Sequence, residues 1–234
     1  MSIAEKLQTV AENVPKVYNA GYEKGKAEGG GDDFQSQFWN SRQKNGELTD
    51  YRWFGAGQSY TDENFKPIHN MVMAIAEQAF VFTGITDLKS LLEKQDVSID
   101  TSQAKSFNQF CFNSSITHLP ILNVASCTNF PQAFRGSEDL VSMGLENIID
   151  TADFTYTFVS CNSLVDFYCT GIIGKSISFS YSSKLSTNSV DRIINCLADL
   201  TGQTAQTLTL HATVKAKLTD EQISTITSKN WTLA

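Results

Sequence analysis

The sequence predicts an α/β repeat fold, a solenoid of short parallel strands with turns or helices on its outer face. Two observations lead to this prediction. An apolar pattern recurs every 24 residues between residues 104 and 180, and only 18% of the 234 residues are charged while serine and threonine are abundant. Because small hydroxyl side chains satisfy backbone groups outside helices, this composition indicates many turns and short strands.

The repeat is marked by phenylalanines. Phe110, Phe134 and Phe158 are 24 residues apart, and each is followed by apolar residues at four further positions. These columns are Ile116, Leu140 and Leu164; Leu119, Met143 and Phe167; Ile121, Leu145 and Cys169; and Val124, Ile148 and Ile172. One such unit cannot close a core alone, but stacked copies align the columns into continuous apolar ladders. We therefore expect all five columns to face the core.

A sixth column holds small polar residues. Asn113, Ser137 and Cys161 each lie three positions after the phenylalanine, where a short side chain can hydrogen-bond to turn backbone inside the stack. The five cysteines show no zinc-ligand or C-x-x-C spacing, and we interpret them as buried, reduced thiols.

Outside the three copies the sequence predicts a few regular elements. Residues 71–82 read as a short helix or an irregular connection, and residues 85–93 as a helix with a possible strand at its entry. The period then lengthens to 33 residues, with strands at 177–181 and 207–212 and helices at 189–197 and 219–226. Trp231 is expected to close the last edge of the solenoid.

The N-terminal segment predicts a separate oligomerisation helix. Apolar residues at alternating steps of four and three form one helical seam, which consists of Ile3, Leu7, Val10, Val14 and Val17. Pro15 predicts a kink in this helix. Valine at both kinds of seam position favours more than two strands, so we expect a homotrimer. The alternative is an amphipathic helix packed on its own domain; the flexible triple glycine at residues 29–31 favours self-association instead.

These patterns divide the chain into four parts. They are a coiled-coil helix at residues 1–28, a glycine-rich linker at 29–33, an aromatic-rich cap at 34–84 and the solenoid at 85–234. The aromatic block is either a cap over the open core or a platform for stacking sugars. The cap is favoured because an open core needs large rings to cover it.

Charge and motifs argue against several functions. The net charge of −7 leaves no positive surface for phosphate backbones, so no nucleic-acid partner is expected. The sequence has no apolar window that could span a membrane and no recognisable signal peptide, so we expect neither membrane insertion nor secretion by that route. Because no catalytic, phosphate-binding or metal motif is present, we expect no enzyme, cofactor or metal.

The columns at residues 158–167 and their copies resemble the BspA-like class of leucine-rich repeats. The aromatic block, with Phe38-Trp39-Asn40, Tyr51, Phe54-Gly55-Ala56-Gly57 and residues 61–67, is similar to regions that precede such repeats in proteins of gut bacteria, prophages and phages. Residues 172–179 and 218–223 are similar as well. The resemblance covers most of residues 34–234 and implies a recognition scaffold, a use that leaves the ligand open.

Two functions are expected. The first is a non-enzymatic virion protein of a phage or prophage, in the tail or receptor-binding apparatus, made in the bacterial cytoplasm. Its N-terminal helix would join copies, and its partners would be virion proteins and a host-surface protein or glycan. The alternative is a bacterial cell-surface adhesin or carbohydrate-binding module. For either function, the predicted contact residues are outward on the strands: His118, Ser142, Asp166 and Tyr168, with Tyr168 the best anchor.

Overall fold

The computed structural model describes residues 60–63, 65, 70–73 and 75–234. This part of the chain is an α/β structure of short parallel strands in small sheets, which confirms that level of the prediction. The strands are β1 (Met71–Val72), β2 (Ile99–Asp100), β3 (His118–Asn123), β4 (Ser142–Ile148), β5 (Asp166–Gly171), β6 (Ile177–Phe179), β7 (Gln206–Leu210) and β8 (Trp231–Leu233). The helices are α1 (Leu88–Lys94), α2 (Thr187–Cys196), α3 (Ala212–Lys215) and α4 (Asp220–Ser228).

Several predictions concern residues outside the described ones. They are the coiled-coil helix with its seam at Ile3, Leu7, Val10, Val14 and Val17, the linker at 29–33, and the aromatic block up to residue 59. Within the described residues, no helix combines the length and the apolar character that crossing a membrane requires.

The middle sheet fixes the register of the repeat. Strands β3, β4 and β5 are parallel, and paired residues are 23 or 24 positions apart, as in His118 opposite Ser142 and Ser142 opposite Asp166. Strands β1 and β2 form a second parallel pair, and β6, β7 and β8 form a third parallel sheet in that order. Because side chains alternate between the two faces of a strand, this register places equivalent positions of neighbouring strands on one face.

Two rows of phenylalanine rings fill the interior. In the longer row, neighbouring ring centroids are 4.7 to 6.2 Å apart. This row consists of Phe65, Phe80, Phe110, Phe134, Phe158 and Phe179. The second row consists of Phe107, Phe130 and Phe154, with centroids 5.4 and 5.1 Å apart. All of these rings are buried, and the apolar core continues across the domain boundary that we predicted at residue 84.

The backbone between the strands also bonds from one segment to the next. Alternate N–H groups of residues 107–113 donate to alternate carbonyls of residues 129–135, and those of residues 130–136 donate to residues 153–159. Gln109, Gln132 and Tyr156 share a left-handed conformation, with φ of 55°, 56° and 56°. These bonds satisfy buried backbone groups where there is neither helix nor strand.

Two of the predicted core positions are wrong. Ile121 is 48% exposed, and Leu122 lies opposite Leu145 in its place. The reason is a bulge between His118 and Ile121, which gives β3 one residue more than β4 over the same length.

A second register shift lies between Leu145 and Ile148, where β4 has one residue more than β5 over the same length. It changes which residue at the end of β5 faces the core. Gly171, and not Ile172, pairs with Ile148. Ile172 is therefore exposed, and Ile173 is buried instead. A Cβ on Gly171 would lie 2.3 Å from the backbone N and O of Ile148, so the close approach requires glycine. The other members of the five predicted columns are buried.

The polar column is correct at two of its three positions. Ser137 Oγ donates to the carbonyl of Cys111 at 2.6 Å, and Cys161 Sγ donates to a carbonyl of the preceding segment at 3.1 Å. Asn113 was assigned wrongly, because it is exposed with φ of 49°. Ser114 is buried in its place, with its Oγ 3.0 Å from Ser137 Oγ.

Outside the three copies of the repeat, the helices and strands predicted after residue 84 are confirmed, with small shifts of their ends. At the start of α4, Thr219 and Gln222 form a capping box. Residues 71–72 form a strand, where we predicted a helix or an irregular connection. Trp231 is buried and donates its indole N–H to the carbonyl of Ala198 at 2.9 Å. Trp231 begins β8, which is an edge strand of the sheet formed by β6, β7 and β8. We expected this residue to cover the last edge of the sheet, but it belongs to a further strand.

Replacing Phe134 with alanine is expected to destabilise the protein by about 3–5 kcal/mol, because it leaves a cavity in the middle of the longer phenylalanine row. Urea unfolding followed by circular dichroism measures the loss. The control is Phe82→Ala. Phe82 is 48% exposed and contacts only Phe112 among the aromatic rings described, so the expected loss is about 1 kcal/mol or less. Equal losses in the two variants would contradict the role of the row.

Candidate functional site

Strands β3, β4 and β5 form the floor of a groove between α1 and α2, which we call the strand groove. Residues of both helices, of the segment 97–99 and of all three strands line it, and its volume is about 670 Å³. Volumes of about 300–1,000 Å³ are typical of small-ligand sites. The groove exists because the segment beside β3 and the segment beside β5 form the helices α1 and α2 at the positions where β3, β4 and β5 are strands.

Helix α1 forms one wall. Asp87 pairs with His118 where β3 begins, but the chain then enters α1 at Leu88 and does not continue as a strand. The Asp87 carboxylate causes this change, since it accepts the N–H of Ser90 at 2.9 Å and caps the helix. Lys89 and Glu93, 4.0 Å apart, form an exposed ion pair on this wall.

Helix α2 forms the opposite wall in a similar way. Ser186 donates its N–H to the carbonyl of Val165 at 2.9 Å and then caps the helix through its side chain. The buried Ser189 hydroxyl accepts the N–H of Phe167 at 2.9 Å, so the first turn of α2 takes the place of a strand beside β5.

The four contact residues predicted from the sequence lie on the same strands. His118, Ser142 and Asp166 form one row across β3, β4 and β5. Ser142, Asp166 and Tyr168 line the groove, and His118 begins the same row outside its lining. The register therefore brings together residues that are up to 50 positions apart in the sequence.

An apolar ledge crosses the floor beside this row. Ile121, Gly144 and Tyr168 are paired across the three strands. A Cβ on Gly144 would lie 2.9 Å from Ile121 Cγ1 and 3.2 Å from the Tyr168 Cβ, so the missing side chain lets the other two approach each other. The guanidinium of Arg192, on α2, lies 5.2 Å from the centroid of the Tyr168 ring. Such a cation–π contact is worth about 0.5–1 kcal/mol at an exposed site.

The histidine of the row is positioned by two neighbours. His118 Nδ1 is 2.8 Å from Thr117 Oγ1 and 3.7 Å from Asp87 Oδ2. Asp87, His118 and Ser142 are the residue types of a nucleophilic triad. No hydrogen bond joins Ser142 Oγ to His118 in the described part of the chain, and that contact is the one a serine nucleophile needs.

All five cysteines lie in the described part and are buried free thiols. Burial raises the pKa of Cys127 and of Cys161 to about 12. Cys169, on β5, and Cys196, at the end of α2, are hydrogen-bonded to each other. This bond raises the pKa of Cys169 and lowers that of Cys196, and the nearby Lys229 ammonium also favours the Cys196 thiolate. The pair joins α2 to β5.

In the part of the chain that the structure describes, no three His, Cys, Asp or Glu side chains come close enough together to hold an ion.

The sequence predicted both helices but not that they form the walls of a groove, and it did not predict the outward turn of Ile121. Arg192 and Lys89 come from helices of other segments, and only the three-dimensional stacking brings them to the floor. The turn of Ile121 had a signal in the sequence. Pro120 has no N–H for a strand ladder, and proline within a sheet is typical of edges and bulges.

Comparison with known proteins adds no relative: no family model, no curated protein and no solved structure matches the chain. The geometry of the groove and the sequence pattern therefore carry the functional argument.

Proposed function

We propose that this protein is a non-enzymatic recognition module of a phage or prophage particle. In this proposal the described part is a leucine-rich-repeat solenoid that presents the strand groove to a ligand, and the N-terminal helix joins copies of the chain. The observation that carries the proposal is the open floor of β3, β4 and β5, which two helices flank but do not cover.

The repeat geometry supports the solenoid. Parallel strands with partners 23 or 24 residues apart are the arrangement that stacked repeats produce. The two phenylalanine rows and the bonds between alternate backbone groups repeat at the same step. The phenylalanines of successive segments pack on each other along the longer row, as expected of a repeat.

The lining of the groove supports binding of a host-surface protein or glycan. Ile121 and Tyr168 supply an apolar ledge, Arg192 covers the tyrosine ring, and Asp166 and Lys89 supply charges of both signs. Tyrosine and arginine are enriched among the residues that dominate binding energy at interfaces. A ligand with one apolar group between polar ends would complement this surface.

Oligomerisation through the seam at Ile3, Leu7, Val10, Val14 and Val17 would place several strand grooves on one particle component. Linked copies bind a surface more tightly than one copy, because the second contact forms at a high effective concentration. The net charge of −7 supports protein and glycan partners over nucleic acid.

Replacing Tyr168 or Arg192 with alanine is expected to weaken binding of the full-length protein to host cells by about tenfold or more, since each removes an anchor of the ledge. Flow cytometry with the fluorescently labelled protein measures the affinity. The control is Ile172→Ala, which removes a side chain that is 51% exposed outside the strand groove. If Tyr168→Ala binds cells as well as the control does, the strand groove is not the ligand surface.

The full-length chain is expected to be a trimer at micromolar concentration. Val10→Asp, or removal of residues 1–28, should convert it to a monomer, because either change removes the apolar seam. Light scattering after size-exclusion chromatography gives the mass of each form. A monomeric full-length chain, or an assembly that both changes leave intact, would refute oligomerisation by this helix.

A further inference from the structure

A second groove, which we call the tyrosine groove, lies on segments that the strand groove does not use. It is lined by residues 154–159, by residues of and around β6 at 176–181, and by Thr207 and Thr209 of β7. Its volume is about 460 Å³. None of its described lining residues is charged, whereas Lys89, Glu93, Asp166 and Arg192 line the strand groove. The two grooves are therefore suited to different ligands.

Two tyrosines give this groove exposed aromatic faces. Tyr156 is 64% exposed and Tyr181 is 47% exposed. In the described part of the chain, neither ring packs against another aromatic ring and neither hydroxyl has a hydrogen-bond partner. Two exposed rings that line one groove offer apolar faces on which a ligand can pack.

The rest of the lining is rich in hydroxyls in a regular array. Ser178 and Thr209 are paired across β6 and β7, and the Thr207 N–H donates to Ser176 Oγ at 2.9 Å. Neighbouring strands are about 4.8 Å apart, so the hydroxyls form two short rows at that spacing. The hydroxyls of Thr207 and Thr209 bond to no described residue. Ser176 Oγ donates to Gln206 Oε1 at 3.0 Å and Ser178 Oγ donates to Ser180 Oγ at 3.2 Å, so these two serines can only accept from a ligand, whereas Thr207 and Thr209 can both donate and accept.

We propose that the tyrosine groove binds a neutral oligosaccharide. A sugar ring has an apolar C–H face that packs on an aromatic ring, and a rim of hydroxyls that both donate and accept hydrogen bonds. Tyr156 and Tyr181 match the face, and the serine and threonine rows match the rim. An acidic or basic ligand would find no counter-charge in the described lining. This site is separate from the strand groove and does not depend on the function proposed for it.

The repeat itself supplies a conservative variant for the test. Tyr156 occupies a backbone position that is glutamine in the earlier segments, at Gln78, Gln109 and Gln132, all with φ of 55–56°. A bulky residue is uncommon in this left-handed conformation, and glutamine is evidently accommodated in it. Tyr156→Gln therefore removes the aromatic ring and keeps the left-handed backbone conformation.

The experiment measures binding of the full-length protein to a panel of neutral oligosaccharides, namely glucan, mannan, galactan, xylan and N-acetylglucosamine oligomers, and to sialylated and uronic-acid oligosaccharides. Isothermal calorimetry at millimolar ligand gives the affinities. We expect at least one neutral oligosaccharide to bind, and Tyr156→Gln with Tyr181→Gln to weaken it by about tenfold or more. Tyr181→Phe keeps the ring and should retain most of the affinity. Equal melting temperatures show that the variants are folded.

Ile172→Ala is the matched control, because its exposed side chain lines neither groove, and it should leave affinity for the neutral oligosaccharide unchanged. Arg192→Ala alters the strand groove alone and shows which of the two grooves holds the sugar. The proposal is overturned if no neutral oligosaccharide binds, if only the charged ones do, or if the double tyrosine variant binds as well as the unmodified protein. If binding is lost in Arg192→Ala and kept in the double tyrosine variant, the sugar binds in the strand groove. That result refutes the present proposal and supports the function proposed for the strand groove.

Discussion

The register between successive segments is the constraint on which the rest of the structure depends. The strands are at most seven residues long, and none could persist without its neighbours. The rows of phenylalanine rings fix the spacing of the segments, and the alternate backbone bonds of residues 107–113 and 130–136 fix their alignment. A slip of one residue would exchange the buried and exposed faces of every strand, so burial of the rows specifies which side chains reach the surface.

Both candidate sites follow from this stacking. The strand groove arises where three segments remain strands while the segments beside them enter α1 and α2. Its floor combines charge with an apolar ledge at Ile121 and Tyr168. The tyrosine groove arises where Tyr156 replaces a glutamine of the earlier segments and β6 begins a hydroxyl-bearing sheet. We propose one groove for a host-surface ligand and the other for a neutral sugar, so a single stack would offer two chemically different surfaces.

The sequence predicted the α/β class, the parallel strands and most of the buried columns, because phenylalanines at a fixed spacing bury their rings most readily when equivalent segments stack. It also placed Ser142, Asp166 and Tyr168 on one face. It failed at Ile121 and Ile172, because a constant period cannot express a bulge that adds one residue to one strand. It could not predict the groove walls, since Arg192 and Lys89 meet the floor only through packing between distant segments.

The strand groove depends most directly on the pairing of β3 with β4, because the bulge in β3 turns Ile121 outward and completes the floor of the groove. Cross-strand backbone NOEs in the full-length protein measure this pairing. We expect contacts between Ile121 and Gly144 and between Leu122 and Leu145. Contacts between Ile121 and Leu145, as an uninterrupted 24-residue period requires, would bury Ile121 and contradict the strand groove as described.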